Sequence, residues 1–115
     1  MNNRDVKDYL QDIIDTINIT EEFIIDFDFL KFEDDQKTIF AVTRSIEIIG
    51  EASKQVPQSI KDDYPEIPWK EIAGMRDKVI HQYFGINIKI LWNTARQELP
   101  QLKPKIQKIL NDIGQ

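Results

Sequence analysis

Asp26-Phe27-Asp28-Phe29-Leu30-Lys31-Phe32 alternates polar and apolar side chains for a few residues, the two-residue period of a strand. A strand needs a partner, and no second alternating run is visible in the chain. The stretch therefore reads as a connection between helices with buried phenylalanines, and the chain as all-α. Its opening D-x-D is shared with calcium loops. Leu30 then falls on a ligand position and the required glycine is missing, which excludes that reading.

Upstream, Val6, Tyr9, Leu10, Ile13, Ile14 and Ile17 step by three and one, the stripe of an amphipathic helix. Asn3 or Asp5 is placed to cap it, and it extends to Ile24 or Ile25. Asp8, Asp12 and Asp15 form its solvated face. Downstream, residues 33–55 read as a second long helix whose apolar face carries Ile39, Phe40, Val42, Ile46 and Ile49, with Val56 just beyond. Gly50 inside it costs helix stability and marks a close approach of another helix. Pro57 ends this helix, and Pro65 and Pro68 punctuate a connection with one helical turn at residues 59–64. A third main helix starts at Pro68-Trp69 and runs through Ile72, Met75, Val79, Ile80 and Tyr83, with Gly85 as its stop. The last helical region, 87–113, must kink or divide at Pro100, giving 88–98 and 101–112. The expected fold is a single domain, 1–115: an all-α, up-and-down bundle of four to five helices. Trp69 and Trp92 serve as core or interface anchors.

Composition narrows the function. Without cysteine there are no disulfides, thiolate zinc sites or cysteine nucleophiles, and with one histidine most zinc sites are excluded as well. No metal and no cofactor is expected. No apolar run approaches membrane-spanning length and no signal peptide is visible, so a cytoplasmic protein with no membrane partner is the expectation. The net charge of -5 argues against a general nucleic-acid binder, and no DNA partner is expected. The charge is uneven, however. Residues 1–35 hold three Lys/Arg against eleven Asp/Glu, whereas residues 69–97 hold five (Lys70, Arg76, Lys78, Lys89, Arg96) against two. The basic segment is the one that carries the histidine, which keeps an RNA-facing surface open.

That segment is Gly74-Met75-Arg76-Asp77-Lys78-Val79-Ile80-His81-Gln82-Tyr83, with the spacing R-x-x-x-x-H-x-Y. Arginine is a permanent cation whose fork matches phosphate, and histidine exchanges a proton near pH 7. These are two of the parts needed to cut a phosphodiester without a metal. If both protonation roles fall to histidine, the second must come from another subunit, and a two-fold dimer would bring two copies of the motif to one cleft. On a continuous helix, residues five apart lie about 140° apart at about 100° per residue. Arg76 and His81 would then flank a groove, while Arg76 and Tyr83 would share a face. Each residue also has an ordinary reading. A lone His is commonly a surface or satisfied core residue. Arg76 has Glu47 or Glu51 as alternative partners across the bundle, and Tyr83 falls at core spacing. Arg44 and Glu51, seven apart, read first as a buried structural pair.

The motif and its surroundings resemble the HEPN-domain proteins, and within them the HepT-like ribonuclease toxins. Besides R-x-x-x-x-H-x-Y, the resemblance rests on Arg44-Ser45-Ile46-Glu47-Ile48-Ile49-Gly50-Glu51-Ala52 and on Ile67-Pro68-Trp69-Lys70-Glu71-Ile72-Ala73-Gly74-Met75-Arg76. Together these cover about half of the chain, in the right order. The resemblance implies a metal-independent RNA-cleaving homodimer with paired motifs at its interface. Arg76 and His81 are then catalytic, and Asp77, Lys78 and Tyr83 position RNA or support the site. Asp77 stands where the family commonly has Asn, and its negative charge lies near the expected phosphate. The resemblance further implies a minimal nucleotidyltransferase (MNT) antitoxin as partner, and Tyr83 as the acceptor of the AMP that silences the toxin. The rival reading is a non-catalytic helical module that binds a nucleotidyltransferase or a nucleotide.

Overall fold

The computed structural model describes residues 4–81 and 85–114. The first helix, α1 (Val6–Ile24), starts at Asp5, whose carboxylate accepts from the amides of Lys7 and Asp8 while Asp8 returns a bond to the Asp5 amide. This reciprocal cap satisfies amides that the helix itself leaves open. Asp28 caps the short α2 (Phe29–Glu33), and Asp35 caps α3 (Gln36–Lys54). The alternating stretch is therefore a connection containing a helical turn, as the lack of a partner strand requires. Phe32 is fully buried there, its ring centroid 5.0 Å from that of Trp92, and Phe27 and Phe29 are half-buried. The second long helix starts at Gln36 rather than at 33, because the Asp34-Asp35 pair breaks the chain and recaps it.

α4 (Gln58–Asp63) follows Pro57 and closes onto the C-terminal helix: Tyr64 Oη donates to Asp112 Oδ2 at 2.5 Å. That carboxylate holds the phenol in its neutral form and raises its pKa to about 12. The expected third helix is shorter than the periodicity suggests. α5 (Trp69–Ala73) meets α6 (Met75–Val79) at Gly74, and α6 ends at Val79 with Ile80 extended. Ile80–His81 (β1) then pairs antiparallel with Gly85–Ile86 (β2) in the register Ile80↔Ile86, His81↔Gly85. Gly85, with φ +80, is the first residue of β2 in this small hairpin and not a helix stop. The hairpin is the only sheet among the described residues. It is closed by the Asn87 amide bonding Val79 O, and Asn87 in turn caps α7 (Ile88–Asn93) by accepting from Ile90 N.

Pro100 does not divide the last helical region. A π turn at Thr94–Glu98 connects α7 to α8 (Leu99–Ile113), and the Leu99 amide reaches back five residues to Thr94 O. A proline cannot donate to the residue four before it, and its ring crowds that carbonyl. Widening the preceding turn by one residue removes the conflict and keeps the chain helical. Pro104 lies inside α8 as a second interruption.

The bundle is organised on α1, which packs mainly against α3 and α8. The N-terminal turns of α1 lie beside the C-terminal half of α3 along a groove lined by Arg4, Tyr9, Asp12, Arg44 and Gln55, so the two run antiparallel. Leu10, Ile13, Ile17, Ile46, Ile49, Leu91, Leu99, Ile106 and Ile109 are almost wholly withdrawn from solvent and form the core. Gly50 faces the backbone of α5, where a methyl group would meet Ile72 O at 3.5 Å. The expected close approach is therefore present. Phe40 is not part of the buried face of α3, being 62% exposed. Nor is the Arg44–Glu51 pair present: Arg44 is exposed and lies by Glu47 (3.9 Å), and Glu51 pairs with Lys54. Among the described residues no helix is long and apolar enough to cross a membrane.

Candidate functional site

Arg76 sits in the first turn of α6, which α5 and Gly74 hold against α3. Its side chain is 53% exposed, with Nε 3.3 Å from Glu47 Oε2 and one terminal nitrogen 3.5 Å from Asp77 Oδ1. Glu47 also has Arg44 at 3.9 Å. The result is a row of alternating charges, Arg44–Glu47–Arg76–Asp77, on the surface where α3 meets α6. Exposed pairs of this kind contribute about 0–1 kcal/mol each, so they orient Arg76 more than they stabilise the fold. Glu47 holds the Nε edge of the guanidinium. The other terminal nitrogen has no partner among the described residues and remains available for an anion.

His81 follows two residues after the end of α6, on β1. The helical angle expected between Arg76 and His81 therefore does not apply: the end of the helix at Val79 turns the backbone away from the helical path. Tyr83 lies outside the described residues. Asp77 is exposed beside Arg76, so its negative charge lies next to the guanidinium. Lys78 is exposed and makes no ion pair among the described residues. It does not join the Arg44–Asp77 row but lines a cavity on the other side of α6.

That cavity is about 370 Å³ and lies between α5–α6 and the π turn. Reading the sequence missed it. Pro100 signalled an interrupted helix, but not that the interruption would open a cleft toward Met75 and Lys78. The exposure of Phe40 was missed for a similar reason, since periodicity assigns an apolar residue to a helix face without saying whether a neighbour covers that face. No group of three or more His, Cys, Asp or Glu suited to a metal occurs among the described residues.

Arranged this way, the surface can bind an anion at Arg76 and place a proton-transfer group a few residues along the chain. Comparison with known proteins gives the same direction. The family model described as "Ribonuclease HepT-like" matches residues 13–109. A Thermococcus cleftensis protein named "Probable ribonuclease HepT" is 51% identical over 106 residues, covering 92% of this chain and 96% of that protein. A Methanocaldococcus jannaschii protein named "Putative RNase" is 43% identical over 113 residues, 98% of this chain and 97% of its own length. A "Putative RNase" of Caldanaerobacter subterraneus is 42% identical over 102 residues, 89% and 91% of the two chains. No solved structure matches. With the matched region spanning the core helices and the whole R-x-x-x-x-H segment, the chain belongs to the HepT-like ribonuclease family.

Proposed function

We propose that this protein is a metal-independent endoribonuclease acting as a homodimer, the toxin of a toxin–antitoxin pair. The carrying observation is Arg76: a surface guanidinium, oriented by Glu47 from another helix and five residues before the chain's only histidine, within the family match. In the reaction, the ribose 2′-hydroxyl attacks the adjacent phosphorus. Its proton goes to a base, a 2′ O–P bond forms, the 5′ O–P bond breaks, and the departing 5′ oxygen takes a proton. His81 of one subunit serves one proton transfer and its symmetry mate the other. Arg76 holds the non-bridging oxygens as charge builds on them, and Lys78 steers the strand.

The dimer has a candidate face. Tyr9, Asp12, Thr16, Ile19 and Phe23 form one stripe of α1, and Phe40, Arg44, Ile48 and Glu51 the facing stripe of α3, by helical spacing. Ile19, Phe23 and Phe40 are 46%, 40% and 62% exposed. Apolar residues flanked by both Arg and Glu suit a self-complementary contact, and Glu47 ties its edge to Arg76. A second copy on this face would bring two Arg76–His81 sets to one cleft.

The proposal includes control by an MNT-type nucleotidyltransferase antitoxin that attaches AMP to Tyr83. Each added AMP would bring a negative phosphate and a bulky nucleoside beside the cleft, opposing an RNA backbone by like charge and by volume. The direct test is RNA cleavage by purified protein in the presence of a chelator. Wild type should cut and His81→Ala should not, with unchanged helical circular dichroism. Undiminished cleavage by His81→Ala would sink the mechanism, and loss of all activity in chelator would replace it with a metal-dependent one.

A further inference from the structure

The cavity beside α6 is chemically asymmetric. Its floor is apolar, formed by the buried Ile72, Met75, Leu99 and Leu102. At its rim stand Lys78 and Lys105, both exposed and neither in an ion pair among the described residues, together with the exposed Glu71. Glu98 also lines it, with Oε2 accepting from Asn93 Nδ2 at 3.4 Å and lying 3.1 Å from Thr94 Oγ1, whose single hydrogen also reaches Ile90 O at 2.8 Å. Oε1 makes no hydrogen bond among the described residues and is free to accept at the rim of the apolar pocket. Glu98 ends the π turn, and turns of this kind are frequent at functional sites.

We propose that this cavity is a base-reading subsite, holding one nucleotide of the RNA substrate and favouring guanosine. A nucleobase is a flat body with polar edges, and a pocket of about 300 Å³ or more is large enough to take it. The Met75 thioether and the leucines meet its face, since sulfur packs well against aromatic rings. Guanine presents N1–H and its exocyclic amino group side by side, two donors that can converge on the two lone pairs of the free Oε1. Uracil offers no such pair. Lys78 and Lys105 meet the phosphates on either side, where contacts add affinity without sequence. Met75 and Lys78 flank Arg76 on the same short helix, so the subsite lies one helix width, about 10 Å, from the phosphate-binding guanidinium. Sequence-specific RNA recognition commonly works this way, on unstacked bases read at their edges.

The inference rests on the ribonuclease reading, but binding tests it without cleavage. In full-length His81→Ala protein, binding of a fluorescent oligouridylate with one central guanosine is compared with binding of the all-uridine oligomer. The expected result is at least tenfold tighter binding of the guanosine oligomer. Adding Glu98→Gln, whose amide can still accept from Asn93, should reduce that preference to within twofold and leave the all-uridine affinity in place. Adding Lys105→Glu should weaken both oligomers alike and flatten the salt dependence. Equal binding of the two oligomers, or a preference that survives Glu98→Gln, overturns the subsite. So does 5′-GMP binding as tightly as the oligomer, which assigns the cavity to free nucleotides. Failure of the ribonuclease reading shows separately, as no cleavage by protein that retains His81.

Discussion

In the proposed function the one guanidinium of Arg76 has two jobs, a contact to Glu47 and the binding of phosphate. Its Nε edge meets Glu47 and a terminal nitrogen lies near Asp77, yet more than half of the side chain remains open to solvent. A lysine would keep the charge, but as a point cation it cannot hold Glu47 and two phosphate oxygens in a fixed fork. Arg76→Lys should therefore lower the cleavage rate about 10- to 100-fold, the scale seen when one donor to a developing charge is removed. Steady-state cleavage of a defined RNA checks this, and a rate within twofold of wild type would remove the bidentate role. Tyr83 is the proposed point of control. Tyr83→Phe keeps the ring and lacks the acceptor oxygen. It should remain toxic when the nucleotidyltransferase is co-expressed, and the matching wild-type peptide should gain one or more AMP masses. If the variant is active alone yet fully neutralised by the partner, inhibition works by binding and the modification account fails.

Helix ends were less legible than helix faces. The stripe Leu10, Ile13, Ile14 and Ile17 specifies α1 because one continuous apolar face has only one helical reading. The same rule extended the third helix to Tyr83, whereas the chain leaves the helix at Val79. Val79 and Ile80 fit an apolar stripe and a short strand equally well, and the choice depends on the bond from Asn87 N to Val79 O, a contact across the hairpin that periodicity does not encode. The candidate residues were thus named from type and spacing, while the backbone path from Arg76 to His81 is set by this turn and the direction of Arg76 by the Glu47 contact. Gly50 shows a similar limit. Its closest approach to α5 leaves 3.5 Å to a new methyl group, ordinary contact distance. Gly50→Ala should therefore stabilise the protein by about 0.5–1 kcal/mol through helix propensity, as read by chemical denaturation. A loss of more than about 1 kcal/mol would mean that α3 and α5 pack too tightly there for any side chain.

At the scale of the whole molecule, two unlike surfaces flank the Arg76 segment. On one side the α1–α3 face exposes Phe40 between charges of both signs, and on the other the cavity offers lysines and carboxylates over an apolar floor. In the proposed function the first surface meets a second copy of the chain and the second meets RNA. Phe40→Glu places a charge at an exposed position, where substitutions typically change monomer stability by about 0.5 kcal/mol or less. It should convert a dimer to a monomer in light-scattering mass measurements and abolish cleavage with it. An active monomer would separate assembly from catalysis. The central claim is that histidine chemistry, without a metal, cuts RNA through its own 2′-hydroxyl. The most direct measurement is mass spectrometry of the product ends after cleavage in excess chelator. The account predicts 2′,3′-cyclic phosphate and 5′-hydroxyl ends, present with wild type and absent with His81→Ala. Ends bearing a 5′-phosphate and a free 3′-hydroxyl, or the same products from His81→Ala, would contradict it.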